Sequence, residues 1–144
     1  TLLDLMEQPI PDYLQGKSLK PVLDQDEDMR LEDDVIVEWN GGNNGFGDRI
    51  GHVSIPESML ELASREEIIA AHRDPVRSII TPDGWKFNCS PLGEHELYDL
   101  NADPLEIHNL VSQPAHLSLM RDLIDRIRRW QAETGDTVDL PQLQ

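Results

Sequence analysis

The chain has 144 residues, enough for one domain with a real core, and sets 28 acids against 12 bases for a formal charge of −16. That charge repels phosphates and argues against nucleic acid and anionic membrane surfaces as partners. One cysteine, Cys89, excludes an internal disulfide framework, and no stretch approaches the ~20 apolar residues of a membrane span.

In chain order, Thr1 to Met6 reads as the end of a longer helix, so the natural N-terminus is expected elsewhere. Pro9 and Pro11 stop that helix and impose an extended segment. Asp24 to Asp34 carries seven acids and one base. Asp24, Asp26 and Asp28 imitate the start of a calcium loop, but Met29 stands where the turn needs glycine and Val35 where a bidentate Glu belongs, so a solvated loop is expected. Val35 to Trp39 is β-branched and aromatic and predicts a strand. The run from Asn40 to His52 holds five glycines and three asparagines in thirteen residues, which predicts a loop. It lacks the Lys-Ser/Thr pair of a phosphate loop. Asn44, Arg49 and His52 are its candidates for lining a substrate cleft.

Pro56 to Arg73 predicts one helix, or two with a kink at Ser64, packing on the sheet; Ser64 and Glu67 have capping-box spacing. Val76–Thr81 and Trp85–Cys89 are predicted strands joined by Pro82-Asp83-Gly84, a three-residue hairpin loop. His95–Leu100 is a third strand of the meander, with Glu94 and Glu96 placed on one strand face. Gln113 to Thr134 predicts a long amphipathic helix with the stripe Leu117, Met120, Leu123, Ile124, Ile127 and Trp130, stopped by Gly135. Arg126, Arg128 and Arg129 complement its dipole, and the tail after Asp136 is expected to lie over the surface or fray. The fold class is therefore α+β: a small antiparallel sheet of three to four strands packed against the long C-terminal helix and one or two further helices.

The chemistry-bearing residues form no recognisable constellation. His52, His72, His95, His108 and His116 show no metal-ligand spacing. Cys89 is followed by Ser90-Pro91-Leu92-Gly93 and has no base beside it in sequence, so it reads as an ordinary strand residue.

Two stretches carry a family resemblance. The run LDLMEQPIPDYLQGKSLKPVL (residues 3–23) and the run VRSIITPDGWKFN with GEHELYDLNADPLEIHNL (residues 76–88 and 93–110) resemble, in order, two C-terminal features of sulfatases. Glu7 departs from that pattern, which has glycine there. The resemblance implies residues 1–34 as a trailing helix, linker and acidic loop, and residues 35–144 as a sulfatase C-terminal α+β subdomain with a four-stranded sheet. It makes Trp85, Lys86, Glu96, Leu97, Tyr98, Asp99, Leu100, Asp103 and Pro104 a structural signature rather than a catalytic one. Sulfatases use a divalent metal, usually calcium, and a formylglycine made within C-x-P-x-R; Gly93 stands where that arginine would be. The resemblance thus implies catalytic and metal sites in a missing N-terminal catalytic domain, which would be this chain's partner. The apolar surface at Leu2, Leu3, Leu5, Met6, Leu14, Leu19 and Leu23 implies self-association in isolation. Two alternatives stand beside this: a freestanding acidic α+β binding module, and the tail of a phosphonate or phosphate monoester hydrolase of the same superfamily.

Overall fold

The computed structural model describes residues 1–24, 33–41 and 55–143. It divides into two units, Thr1–Glu32 and Asp33–Gln144.

The described residues of the first unit form two four-residue helices, α1 (Leu2–Leu5) and α2 (Lys20–Leu23). The second of these lies in a stretch read from sequence as extended. Helix α1 closes when the Glu7 N–H donates to Asp4 O (3.0 Å) and the Gln8 N–H to Leu3 O (2.8 Å), the paired bonds of a Schellman ending. That ending needs a left-handed residue, and Glu7 supplies it at φ 55°. Glycine is the residue that adopts this conformation without strain, which explains why the sulfatase pattern has it there. Glu7→Gly is expected to relieve about 1–2 kcal/mol of local strain, partly offset by glycine's entropy in the unfolded chain. Amide exchange at Gln8 should slow several-fold in the variant; unchanged exchange would mean that Glu7 is not strained. None of the described residues of this unit is buried, and Leu2, Leu5, Met6, Leu14, Leu19 and Leu23 are exposed while Leu3 is half-buried.

The second unit holds a four-stranded antiparallel sheet in the order β1-β2-β3-β4. Its strands are Val35–Glu38, Arg77–Ile80, Trp85–Cys89 and Glu96–Asp99, each within a residue or two of the sequence expectation. Strand β1 pairs with β2 and so completes the small sheet as its fourth strand. The β2–β3 hairpin turns where predicted. The Gly84 N–H donates to Thr81 O (3.0 Å), the Thr81 N–H to Trp85 O (2.8 Å), and Gly84 takes φ 90°. A Cβ at Gly84 would lie 2.4 Å from the Asn101 side chain, so the turn needs glycine for space as well as conformation.

The register aligns Ile36, Ile79, Phe87 and Leu97 in one row across the sheet. Residues alternate faces along a strand, so this row and its neighbours Arg77 and Cys89 form one face. Helix α5 (Leu117–Thr134) covers it, entered through a 3-10 turn at Pro114–His116. Met120, Leu123, Ile124 and Ile127 of the predicted stripe are buried there with Ile79, Phe87, Cys89 and Leu97. Burying each large apolar side chain contributes about 1.5–3 kcal/mol, so this layer holds the unit together. Gly135 stops the helix in the left-handed conformation.

Three expectations change. The segment from Pro56 forms two short helices, α3 (Glu57–Leu60) and α4 (Arg65–Arg73), and neither buries a residue. The break falls at Ser64, whose Oγ accepts from the Glu67 N–H (3.2 Å) while Glu67 accepts from the Ser64 N–H (2.8 Å). A complete capping box starts a new helix instead of kinking an old one. The tail after Asp136 neither lies over the surface nor frays: Leu140 is buried in the core, and Val138 and Leu143 pack against it. Finally, Arg126 pairs with Asp34 at 3.0 Å, and Arg128 reaches Asp125 (3.0 Å) and the Pro141 carbonyl (3.1 Å). Two of the three helix arginines therefore tie down neighbouring segments.

Candidate functional site

The cleft candidates Asn44, Arg49 and His52 lie outside the described residues, as does the acidic run 25–32. The described root of the glycine-rich run is Trp39-Asn40-Gly41, and one side chain fastens it. Arg77 is 1% exposed and occupies an inward position of β2. Its guanidinium donates to both Asp136 oxygens (3.0 and 2.7 Å), to Asn40 Oδ1 (2.7 Å), and to the carbonyls of Trp39 (3.1 Å) and Val76 (3.2 Å). The bidentate pairing with a carboxylate is the strong geometry for this group. Gln131 donates to Asp136 as well, at 2.7 Å. The arginine holds the Asp136 carboxyl below the usual carboxylate range. Sequence reading missed this node. The available signal was a charge two residues from Ile79 on a predicted inward face, but its partner stands 59 residues away.

Beside it lies the one stretch that imitates a catalytic motif. Cys89 is fully buried at the end of β3, and burial pushes its thiol up to about 12. A thiolate is the reactive form, so this sulfur is inert as a nucleophile. Iodoacetamide at neutral pH should leave native Cys89 unmodified while alkylating it in urea; fast native labelling would contradict the buried placement. Ser90, also buried, donates its hydroxyl to Asp74 and receives the Glu94 N–H (3.1 Å). The Ser90 N–H donates to His95 Nδ1 at 3.1 Å. His95 therefore does not face the serine hydroxyl, and the three residues form no relay. Their role is to close the loop between β3 and β4. Burial lowers the His95 pKa, with Asp74 opposing. Glu94 falls in this loop, before β4, so it does not share a strand face with Glu96.

The signature residues are brought together as packing and turn chemistry. Trp85 lies 5.4 Å from the His116 ring, at the entry to α5. Lys86 pairs with Glu106 at 2.6 Å, and Glu96 accepts from Asn88 at 2.6 Å. Leu97 and Tyr98 are buried and Leu100 is half-buried. Asp99 Oδ1 accepts from the Asn101 N–H at 3.0 Å. Asp103 accepts from the His108 N–H at 2.7 Å, and that bond lowers its pKa. Pro104 is exposed in the same turn. Asn109 and Leu110, at the end of the run GEHELYDLNADPLEIHNL, add contacts to β4. Asn109 Oδ1 accepts from the Leu97 N–H (3.0 Å), its Nδ2 donates to His95 O (3.1 Å), and the Leu110 N–H donates to Leu97 O (2.8 Å). Asn109-Leu110 thereby covers the outer edge of β4, which would otherwise present unpaired backbone.

Among the described residues no group of three or more His, Cys, Asp or Glu side chains could hold a metal ion. Cys89, buried and without the arginine of C-x-P-x-R, does not suit the formylglycine.

No family model matches the chain. A curated relative, the ulvan-active sulfatase of Formosa agariphila, is 35% identical over 49 residues, 34% of this chain and 8% of that protein. A solved 2-O GAG sulfatase superposes with a TM-score of 0.67 at 21% identity, over 98% of this chain and 26% of its own. A structure described as a sulfatase from Bacteroides thetaiotaomicron gives the same score and identity, with 25% of its chain covered. A protein solved with its substrate D-glucosamine-2-N,6-O-disulfate gives 0.60 at 23% identity, over 95% of this chain and 23% of its own. The chain thus spans about a quarter of the length of the solved proteins it matches. The chain is thus similar to a sulfatase over one local stretch and, along nearly its whole length, shares the fold of about a quarter of each solved protein it matches.

Proposed function

We propose that this chain is the non-catalytic C-terminal subdomain of a sulfuric ester hydrolase, and that it packs on the catalytic domain. The supporting observation is the fold match over 98% of this chain to only 26% of a sulfatase. The glycine-rich run, rooted by Arg77, lends residues such as Asn44, Arg49 and His52 to the substrate cleft. The metal and formylglycine belong to the catalytic domain, and this chain alone turns over no ester. Relatives that act on ulvan, GAG and a glucosamine disulfate point to carbohydrate sulfate esters as the parent's substrates.

The test is the complete gene. An upstream C-x-P-x-R should be present, and the complete protein should release sulfate from a sulfated saccharide while the 144-residue chain releases none. Replacing the cysteine of that motif with alanine should abolish release. A complete frame without the motif, or with an unrelated domain before this chain, overturns the reading.

A further inference from the structure

We infer that the outer face and free edge of β1 form the docking surface for the catalytic part of the parent chain, a proposal that rests on the reading above. Val35 and Val37 of β1 and Trp39 directly after it alternate and are 53, 48 and 49% exposed, the Trp39 ring also meeting His72 of α4 edge-on at 6.3 Å. Alternation puts all three on the face opposite Ile36 and α5. The register continues Val35 into Ile80, Lys86 and Tyr98, and Val37 into Ser78, Asn88 and Glu96. The apolar surface is thus confined to the β1 side, while β3 and β4 are largely polar there.

Among the described residues nothing pairs with the other side of the same strand. The Trp39 N–H donates to Val76 O at 3.0 Å, so Trp39, Val37 and Val35 make the bonds to β2. Ile36 and Glu38 then point their N–H and C=O groups away from the sheet. The opposite edge, on β4, is closed by Asn109 and Leu110. Among the described residues one edge is covered and the apolar one is left bare, the pattern of a surface that receives a partner.

Two observations choose the occupant. A second copy would bring together two chains of charge −16, with Glu38 on both free edges. Repulsion works against that pairing. The matched sulfatases hold this fold within chains of which it is about a quarter, so the natural neighbour is the remaining portion.

The experiment is cysteine footprinting in the complete protein. Val37→Cys is a mild exchange on an exposed position. Ala132→Cys, exposed on α5 beyond the other face, reports ordinary access. Alkylation by iodoacetamide is read by peptide mass, native against urea-unfolded. The cysteine at 37 should be protected at least tenfold relative to the one at 132. Equal labelling of both overturns the docking surface. If sulfate release persists with equal labelling, only the docking proposal falls. If C-x-P-x-R and sulfate release are both missing, the sulfatase reading falls and takes the docking proposal with it. A concentration-dependent dimer whose formation protects the cysteine at 37 would assign the surface to a second copy and overturn the proposal.

Discussion

Replacing Arg77 with methionine is expected to lower the stability of the second unit by about 3–5 kcal/mol, the usual range when one partner of a buried ion pair is removed. The guanidinium satisfies two Asp136 oxygens, Asn40 Oδ1 and two backbone carbonyls at once. Its removal leaves a carboxylate whose side chain is 11% exposed without its cation. Urea unfolding should show the midpoint falling by about 2 M, given slopes of about 1–3 kcal/mol/M for domains of this size. A loss below about 1 kcal/mol would mean that water replaces the arginine at little cost, contrary to its burial. The double variant Arg77→Met with Asp136→Leu should recover much of the loss, because an apolar pair of similar volume carries no desolvation penalty.

The same pair fixes the response to acid. Arg77 depresses the Asp136 pKa below its reference value of 3.8. The unfolded chain therefore takes up a proton at higher pH than the native one. The stabilisation is fully present above the unfolded value and is lost as pH falls through the native value. Arg77→Met should remove this acid-dependent component. An acid limb identical in the two proteins would assign it to other carboxylates.

Leu140→Ala is expected to cost about 2–4 kcal/mol, the range for removing a large buried aliphatic side chain. Such a loss from a residue beyond the end of α5 runs against the expectation that the segment after Asp136 frays. The structure supplies the reason. Asp136 anchors the start of the tail to Arg77, and Gln131 donates to the Val138 carbonyl at 2.8 Å. Arg128 and Arg121 donate to the carbonyls of Pro141 and Leu143 at 3.1 and 3.3 Å. The tail is thus fastened along its length, and Leu140 fills the core beside α5. Chemical denaturation of the variant checks the magnitude. A cost under about 0.5 kcal/mol, the size usual for surface changes, would restore the loose tail.

Features that were legible in the sequence share a short range. Pro82-Asp83-Gly84 specified its hairpin through local backbone preference. Ser64 and Glu67 specified a helix start, although the capping box proved strong enough to separate α3 from α4. The three- and four-residue spacing of Met120, Leu123, Ile124 and Ile127 marked the buried side of α5 before any partner was known. The sulfatase resemblance was carried by motif residues whose roles are equally local: Asp99 and Asp103 in turns, Leu97 and Tyr98 in packing. Glu7 is the instructive exception. Its departure from glycine was visible, but the left-handed backbone that makes the departure matter was not.

By itself the sequence determined the α+β class, the meander, the long helix and the likeness to sulfatases, because periodicity and turn chemistry are properties of neighbouring residues. Tertiary structure alone decided three things. It paired Arg77 with Asp136 across 59 residues, drew Leu140 into the core, and set Asn109 against the edge of β4. Each is a contact between segments distant in the chain. Its energy comes from desolvating and satisfying groups that carry no local mark of their partner, so only the folded arrangement could name them.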